Sequence, residues 1–187
     1  MPTNRHTLKA QADLYAGTLL DALNASGGIN AVIEAREQLG SIIAYNRSHI
    51  DLMDALKNAV STPEDKANLV KGVFSNCLPA VQSVLGVMAE RDCLDTLPRV
   101  LDSFNRQIPE KTNVSVVDVV TCVPLDDHLR EVIKKKASAD LGGEVVLQET
   151  VDPSILGGII MSANGKRIDA SIATLAEGAR VALKKSN

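Results

Sequence analysis

Apolar residues recur every three or four positions along the first hundred residues, a spacing typical of amphipathic helices. The first repeat ends at Ser26-Gly27-Gly28, and a second begins directly after it. Thr62-Pro63-Glu64-Asp65 marks another helix start, with a hydroxyl N-cap, proline at the first helical position and acids in the first turn. We expect six helices in this part of the chain, at residues 8–23, 29–43, 50–60, 63–76, 79–92 and 96–107.

The hydrophobic period changes after Ile108-Pro109-Glu110-Lys111, which interrupts the helical spacing. We expect a strand at residues 114–123, a helix at 126–141, a strand at 144–151, a hairpin pairing 158–163 with 167–172, and a helix at 173–184. Asn164-Gly165 is the favoured two-residue type I′ turn for this hairpin. The sequence therefore predicts a mainly α protein, with an N-terminal six-helix bundle at residues 1–108 followed by a small α/β segment at residues 109–187.

Composition narrows the class of protein. With 45% hydrophobic and 23% charged residues, the 187-residue chain is expected to fold with a substantial core. Only 2% of the residues are aromatic and the net charge is −3, which argues against nucleic-acid binding. The three cysteines lack the spacing of a zinc site or a disulfide framework. Reduced thiols in a cytosol-like compartment fit these cysteines best. No apolar stretch follows the first residues, so we expect no secretory signal.

The sequence offers few candidates for catalysis or for metal or cofactor binding. His6, His49 and His128 are far apart, and neither a metal-binding nor a phosphate-binding motif occurs, so no metal or cofactor is expected. Cys93 lies beside charged residues and would be the nucleophile if the protein were an enzyme, but we favour an ordinary buried thiol. We interpret the basic run at residues 134–136 as a solvated helix face.

Two of the predicted helices carry more apolar surface than one core face needs. On the first helix, Leu14, Thr18 and Ala22 widen the apolar arc, and on the fifth, Val84 and Val87 extend it over about half the circumference. Packing within the bundle could absorb this surface. The alternative is a groove between the two helices that accepts an apolar helix from another protein.

Residues 156–172, LGGIIMSANGKRIDASI, contain a strand that begins with glycine, a glycine turn, and an apolar-Asp-x-Ser-apolar sequence. This pattern resembles the delta subunit of bacterial F-type ATP synthases, which is similar to the mitochondrial oligomycin-sensitivity-conferring protein. Tyr15-Ala16 and the segments 87–91 and 97–98 resemble further motifs of that family. The chain departs from the family pattern at Gly17, where Lys or Arg is commoner, and at Ala170, where Gly is usual.

This resemblance implies a non-catalytic stator subunit of the peripheral stalk, with no cofactor, held through its complex at the cytoplasmic face of a bacterial plasma membrane. The bundle would bind N-terminal helices of the alpha subunits, and the α/β segment would bind the b subunits, so that proton flow is coupled to ATP synthesis. The expected alpha-binding residues are Leu14, Tyr15, Thr18, Ala22, Val84, Val87 and Arg91. The expected structural motif comprises Gly157, Gly158, Gly165, Asp169 and Ser171.

Three alternatives stay open from the sequence. A helical adaptor of another membrane-associated complex would share the bundle, although it has no need of the C-terminal hairpin motif. Asp169 and Ser171 could contact the stalk directly, although we favour a cap on the last helix. A processed organellar protein would look the same as a bacterial one.

Overall fold

The computed structural model describes residues 5–49 and 62–185, with side chains described for 6–49 and 62–181. The chain divides into two compact units, residues 1–107 and 108–187. The helices of the first unit are α1 (Arg5–Ser48), α2 (Pro63–Val73), α3 (Pro79–Glu90) and α4 (Leu97–Thr112), with a 3₁₀ turn (Leu94–Thr96) before α4. The second contains β1 (Val114–Thr121), α5 (Asp127–Leu141), β2 (Glu144–Val151), a 3₁₀ turn (Pro153–Ile155), β3 (Gly158–Ala163), β4 (Lys166–Ser171) and α6 (Ile172–Lys185).

The first two predicted helices form one long element, α1, that breaks at a single residue. Gly28 has φ 61° and ψ −148°, a conformation that residues with a Cβ rarely adopt. The backbone is helical on both sides of it, so α1 consists of two helical stretches that meet at a kink, as the sequence predicts. The predicted third helix, at residues 50–60, lies outside the described residues. The count of six helices therefore stays a prediction.

The remaining helices of the first unit begin where the sequence indicates. The Thr62 hydroxyl accepts from the Asp65 backbone N–H at 3.2 Å, and the Asp65 carboxylate accepts from the Thr62 N–H at 3.3 Å, which completes a capping box on α2. Pro63 and Pro79 occupy first-turn positions of α2 and α3. The fully buried core side chains of this unit include Phe104, Leu19, Leu20, Leu23, Leu39, Leu85, Met88 and Leu97.

The predicted end of the last bundle helix at residue 107 is wrong, because α4 continues through Pro109 to Thr112. Proline removes one backbone donor but leaves its carbonyl available, and the Asn113 N–H donates to the Pro109 carbonyl at 3.1 Å. The Thr112 hydroxyl donates to the Ile108 carbonyl at 2.7 Å. The helix ends at Asn113, whose φ of 55° is left-handed.

The second unit is built on a four-stranded mixed sheet in the order β2-β1-β3-β4. β1 pairs in parallel with β2 along its whole length, from Val114 opposite Glu144 to Thr121 opposite Val151. β1 also pairs antiparallel with β3, which forms the expected hairpin with β4. Asn164 and Gly165 both have positive φ, as a type I′ turn requires.

Helix α5 connects the two parallel strands and covers one face of the sheet. Val117, Val119, Leu125 and Val145 form the buried cluster on this face. Partly buried residues of α5 and the sheet pack around it, namely Ile133, Ala137, Leu141, Leu147, Ile159, Met161 and Ala163. The architecture is thus mainly helical with a small α/β unit at its C-terminal end.

Candidate partner-binding site

Leu14, Thr18 and Ala22 lie on the exposed side of α1. Leu14 is 61% exposed, and Thr18 and Ala22 are also exposed. The Thr18 hydroxyl donates to the Leu14 carbonyl at 3.1 Å and lies 3.0 Å from the Tyr15 carbonyl. Because its own helix satisfies this hydroxyl, Thr18 adds no unpaired donor to the exposed side of α1. We call these three residues the α1 strip.

A second exposed set lies on α3 and its C-terminal end. Val87 is 38% exposed, Val84 is half-buried, and Arg91, the residue that follows the helix, is exposed. At 100° per residue these three residues lie within an arc of about 60°. The adjoining side of α3 supplies the core residues Val81 and Leu85. We call Val84, Val87 and Arg91 the α3 strip.

Tyr15 joins the two strips. Its ring is 8% exposed, and on a helical wheel it borders the arc of about 80° that contains the α1 strip. The Arg91 guanidinium donates to the Tyr15 hydroxyl at 3.4 Å. Since Tyr15 borders one strip and Arg91 belongs to the other, their contact puts the two strips on neighbouring faces of the first unit.

Cys93 also reaches the Tyr15 hydroxyl, but its environment opposes nucleophilic chemistry. Its thiol donates to the Met88 carbonyl at 3.4 Å and lies 3.7 Å from the Tyr15 oxygen. Burial raises the pKa of the Cys93 thiol, and the hydrogen bond with Tyr15 opposes that rise less strongly. Burial likewise raises the pKa of Tyr15. An activated cysteine needs the opposite shift, toward the thiolate.

Two ion-pair clusters connect different helices of the first unit, and neither was predicted from the sequence. Lys66, whose side chain is 7% exposed, pairs with Asp92 after α3. Asp13 on α1 accepts from Ser103 and Arg106 on α4. The partners lie 26 to 93 residues apart in the chain. A lysine at the core-facing side of α2 was the one signal that could have indicated a buried partner.

The C-terminal motif residues lie where β3, β4 and α6 meet. The Ser171 hydroxyl accepts from the Thr174 backbone N–H at 3.3 Å and so caps α6. The Asp169 carboxylate accepts from the Ser171 N–H at 3.1 Å, and hydrogen bonds from Ser171 hold the pKa of Asp169 below its ordinary value. A Cβ at Gly158 would lie 2.3 Å from the Ala170 carbonyl oxygen, so this approach of β3 to β4 requires glycine.

Gly157 and Gly165 allow backbone conformations with positive φ in the same region. Gly157 has φ 151°, and a Cβ there would lie 2.6 Å from the Ile172 side chain. Its carbonyl accepts from the Ile172 N–H at 3.0 Å at the start of α6. Gly165 has open space around it and serves only the hairpin turn. The structure thus gives Gly157, Gly158, Gly165, Asp169 and Ser171 local structural roles in one hairpin and one helix start.

Other classes of site find little support. Among the side chains described, no three His, Cys, Asp or Glu residues lie close enough together to hold a metal ion. None of the helices within residues 5–49 and 62–185 is both long and apolar enough to span a bilayer. A helical unit with an uncovered apolar strip, followed by a small α/β unit, is typical of proteins that bind other chains.

Comparison with known proteins agrees with this class. Residues 12–180 match the ATP synthase delta (OSCP) subunit family. The chain is 28% identical over 180 residues to the ATP synthase subunit delta of Azorhizobium caulinodans, covering 95% of both chains. It is 30% identical over 169 residues to the subunit delta of Erythrobacter litoralis, covering 87% of this chain and 88% of that one.

The chain belongs to the ATP synthase delta (OSCP) subunit family, whose members are peripheral-stalk subunits of F-type ATP synthases. This confirms the resemblance found in the sequence. The fold agrees as well. A chain in the mitochondrial ATP synthase hexamer of Toxoplasma gondii superimposes with a TM-score of 0.55 over 92% of this chain and 96% of that one, at 16% identity.

Proposed function

We propose that this chain is a non-catalytic stator subunit that links the alpha subunits of the catalytic head to the b subunits of the peripheral stalk. The N-terminal unit is a six-helix bundle that binds N-terminal helices of alpha subunits. The C-terminal unit binds the b subunits. The chain is held peripherally at the cytoplasmic face of a bacterial plasma membrane through these partners.

The observation that carries this proposal is the pair of neighbouring strips on α1 and α3. Their central side chains are aliphatic or satisfied within their own helix, as with the Thr18 hydroxyl. An amphipathic helix laid between them would bury Leu14 and Val87 without leaving a polar group unpaired. Arg91 lies at one end, where its guanidinium can donate to a carboxylate of the incoming helix.

The mechanical task explains why such a contact suits a stator. The rotor exerts torque on the catalytic head, and the stalk holds the head still during each turn. A joint under repeated load needs a slow dissociation rate, which burial of apolar side chains in a fitted groove provides. Catalytic groups add nothing to this task, and the raised pKa of Cys93 fits a structural thiol.

The test is binding of a peptide that contains the N-terminal residues of the alpha subunit from the same organism. We expect Leu14→Asp and Val87→Asp to weaken binding about tenfold or more, because each places a carboxylate in the buried part of the interface. Val73→Asp is the matched control, since Val73 on α2 is 40% exposed and lies outside both strips. Circular dichroism of each variant checks that the helices remain folded.

Unchanged affinity in both strip variants, with the control also unchanged, would remove the α1 and α3 strips as the binding site. Failure of the native chain to co-purify with the solubilised ATP synthase would remove the stator function itself. Equal weakening by Val73→Asp would show that the effect comes from added charge and not from the site.

A further inference from the structure

Lys66 lies near the start of α2 with its side chain buried, an environment that a lysine rarely occupies unless an anion pairs with it. Its ammonium group pairs with the carboxylate of Asp92, an exposed residue that follows α3. The two helices approach closely, since a Cβ at Gly86 on α3 would lie 3.9 Å from the Ala67 Cβ on α2. The buried lysine therefore reaches from one helix to the end of the next.

Asp92 occupies a backbone position that usually belongs to glycine. The Asp92 N–H donates to the Ala89 carbonyl at 3.1 Å, and the Cys93 N–H donates to the Met88 carbonyl at 3.0 Å, which are the two hydrogen bonds of a Schellman motif. Asp92 has φ 51°, the left-handed conformation in which this motif prefers glycine. A carboxylate is also disfavoured at the C-terminal end of a helix, where the backbone carbonyls carry partial negative charge. Both features cost stability, so an aspartate here indicates a role for its carboxylate.

The residues on either side of Asp92 border the proposed alpha-binding site. Arg91 is the charged member of the α3 strip, and its guanidinium donates to the Tyr15 hydroxyl at 3.4 Å. The Cys93 thiol lies 3.7 Å from the same oxygen. Burial is the largest cause of the raised pKa of this thiol, and the charges of Asp95, Arg91 and Asp92 also act on it. The Asp92 carboxylate and the Arg91 guanidinium therefore belong to one group of charges at the end of α3.

The partner that Asp92 chooses within this group affects Arg91. An ion pair between the two neighbours would occupy the guanidinium donors that an incoming carboxylate needs. An unpaired Asp92 would also repel that carboxylate. The pair with Lys66 prevents both effects, because it directs the Asp92 carboxylate to α2 and neutralises its charge.

We propose that Lys66 is a positioning residue of the alpha-binding site, which holds the Asp92 carboxylate and so keeps the Arg91 guanidinium available to a carboxylate of the incoming alpha-subunit helix. This inference rests on the proposed function for the identity of the partner, and it adds the residue that controls the charged end of the site. The site then depends on three helices. α1 and α3 supply the two strips, and α2 supplies a buried lysine that does not contact the partner.

The first experiment compares the two variants that break this ion pair, by measuring binding of the alpha-subunit N-terminal peptide to the full chain. Lys66→Met releases the Asp92 carboxylate toward Arg91 and should weaken binding about fivefold. Asp92→Asn removes that carboxylate, and asparagine fits the left-handed backbone, so the affinity should remain at the native level. Native affinity in Lys66→Met would overturn the proposal.

A purely structural ion pair predicts the opposite order of affinities. Asp92→Asn leaves a buried ammonium group without its anion, so we expect it to be the less stable of the two variants. If binding simply followed stability, Asp92→Asn would therefore bind more weakly than Lys66→Met. That result would overturn the positioning role.

A double variant separates positioning from folding. Lys66→Met combined with Asp92→Asn removes both charges and should recover the affinity that Lys66→Met alone loses. Lys71→Met is the matched control, because it removes the charge of an exposed lysine from the same helix and should bind as the native chain does. Circular dichroism at the assay temperature checks that each variant is folded. No recovery in the double variant, or an equal loss in Lys71→Met, would overturn the proposal.

The effect of Lys66 should also depend on Arg91. In an Arg91→Met chain, adding Lys66→Met should not change the affinity further, because no guanidinium remains for Asp92 to engage. An equal loss with and without Arg91 would overturn the proposal.

The same assay separates the positioning role from the proposed function. If the native chain binds the peptide and Lys66→Met binds it equally well, the positioning role is wrong and the proposed function stands. If the native chain does not bind the peptide, the alpha-binding function fails and the positioning role fails with it.

Discussion

The Tyr15 hydroxyl on α1 accepts a long hydrogen bond of 3.4 Å from the guanidinium of Arg91 at the end of α3. The Cys93 thiol approaches the same oxygen at 3.7 Å. One phenolic oxygen therefore connects two helices 76 residues apart in the chain. Because Tyr15 borders the α1 strip and Arg91 belongs to the α3 strip, this contact helps to set the distance between the two surfaces of the proposed interface.

Tyr15→Phe tests this contact while keeping the buried ring. We expect the free energy of unfolding to fall by about 0.5–1.5 kcal/mol, because the polar partners on α3 and in the following turn lose their acceptor. Urea denaturation measures the change. Tyr45→Phe is the control, since Tyr45 is 40% exposed and its hydroxyl can be solvated by water. An equal loss in both variants would contradict a specific role for the Tyr15 hydroxyl.

The raised pKa of Cys93 predicts a slow thiol and a loss of stability at alkaline pH. Below the ordinary thiol pKa, near about 8.5, the group is neutral in both folded and unfolded chains and its stabilising contribution is complete. As the pH rises through the higher pKa of the folded chain, that contribution is lost. The free energy of unfolding should therefore fall more steeply above this pH in the native chain than in Cys93→Ala.

Alkylation at neutral pH, followed by mass spectrometry of the peptide containing Cys93, tests the same environment. The thiol should react more slowly in the folded chain than in urea. Faster reaction in the folded chain would contradict the structural interpretation and would favour an activated cysteine.

Gly158→Ala should destabilise the second unit much more than Gly165→Ala. A methyl group at Gly158 would lie 2.3 Å from the Ala170 carbonyl oxygen, whereas no atom lies within 4 Å of one at Gly165. Both positions have positive φ, so the difference between the variants isolates the steric clash. We expect a loss of about 3 kcal/mol or more at Gly158 and about 1 kcal/mol at Gly165. Hydrogen exchange in β3 and β4 measures both, and equal losses would contradict the clash.

Removing one partner of the Lys66–Asp92 ion pair should cost more stability than removing the other. The Lys66 side chain is 7% exposed and that of Asp92 is 62% exposed. Asp92→Asn leaves the buried ammonium without its anion and should cost about 1–2 kcal/mol, while its left-handed backbone tolerates asparagine. Lys66→Met removes the buried charge at similar volume and should cost less. Thermal denaturation measures the stability of both variants. A larger loss in Lys66→Met than in Asp92→Asn would show that the attraction between the two charges stabilises the fold.

Local structure was predicted best where it depends on a few adjacent residues. The N-cap at Thr62, the Asn164-Gly165 turn and the strand at residues 144–151 each depend on neighbouring residues, and the structure contains all three. Pro109 misled the prediction, because a proline costs one hydrogen bond while the rest of α4 still forms. Gly28 was expected to end a helix, and its non-helical backbone does separate the two helical stretches of α1.

Long-range relationships could not be predicted from one sequence. The strand segments were visible, but nothing local indicates that β1 lies between β2 and β3 or that its two neighbours run in opposite directions. The exposed positions of Leu14 and Val87 could be inferred from helical spacing, yet the contact between Tyr15 and Arg91 depends on tertiary packing. The apolar groove between α5 and strands β3 and β4 was not predicted, because it depends on both the strand order and the face of the sheet that the helix covers.

The strand order has a consequence for how the second unit withstands tension. The chain enters this unit through β1, which is held on one side by all eight residue pairs with β2 and on the other by four with β3. A pull along the entering segment therefore loads both ladders in shear, so that many hydrogen bonds must break together. An edge strand pulled sideways would instead unzip one bond at a time.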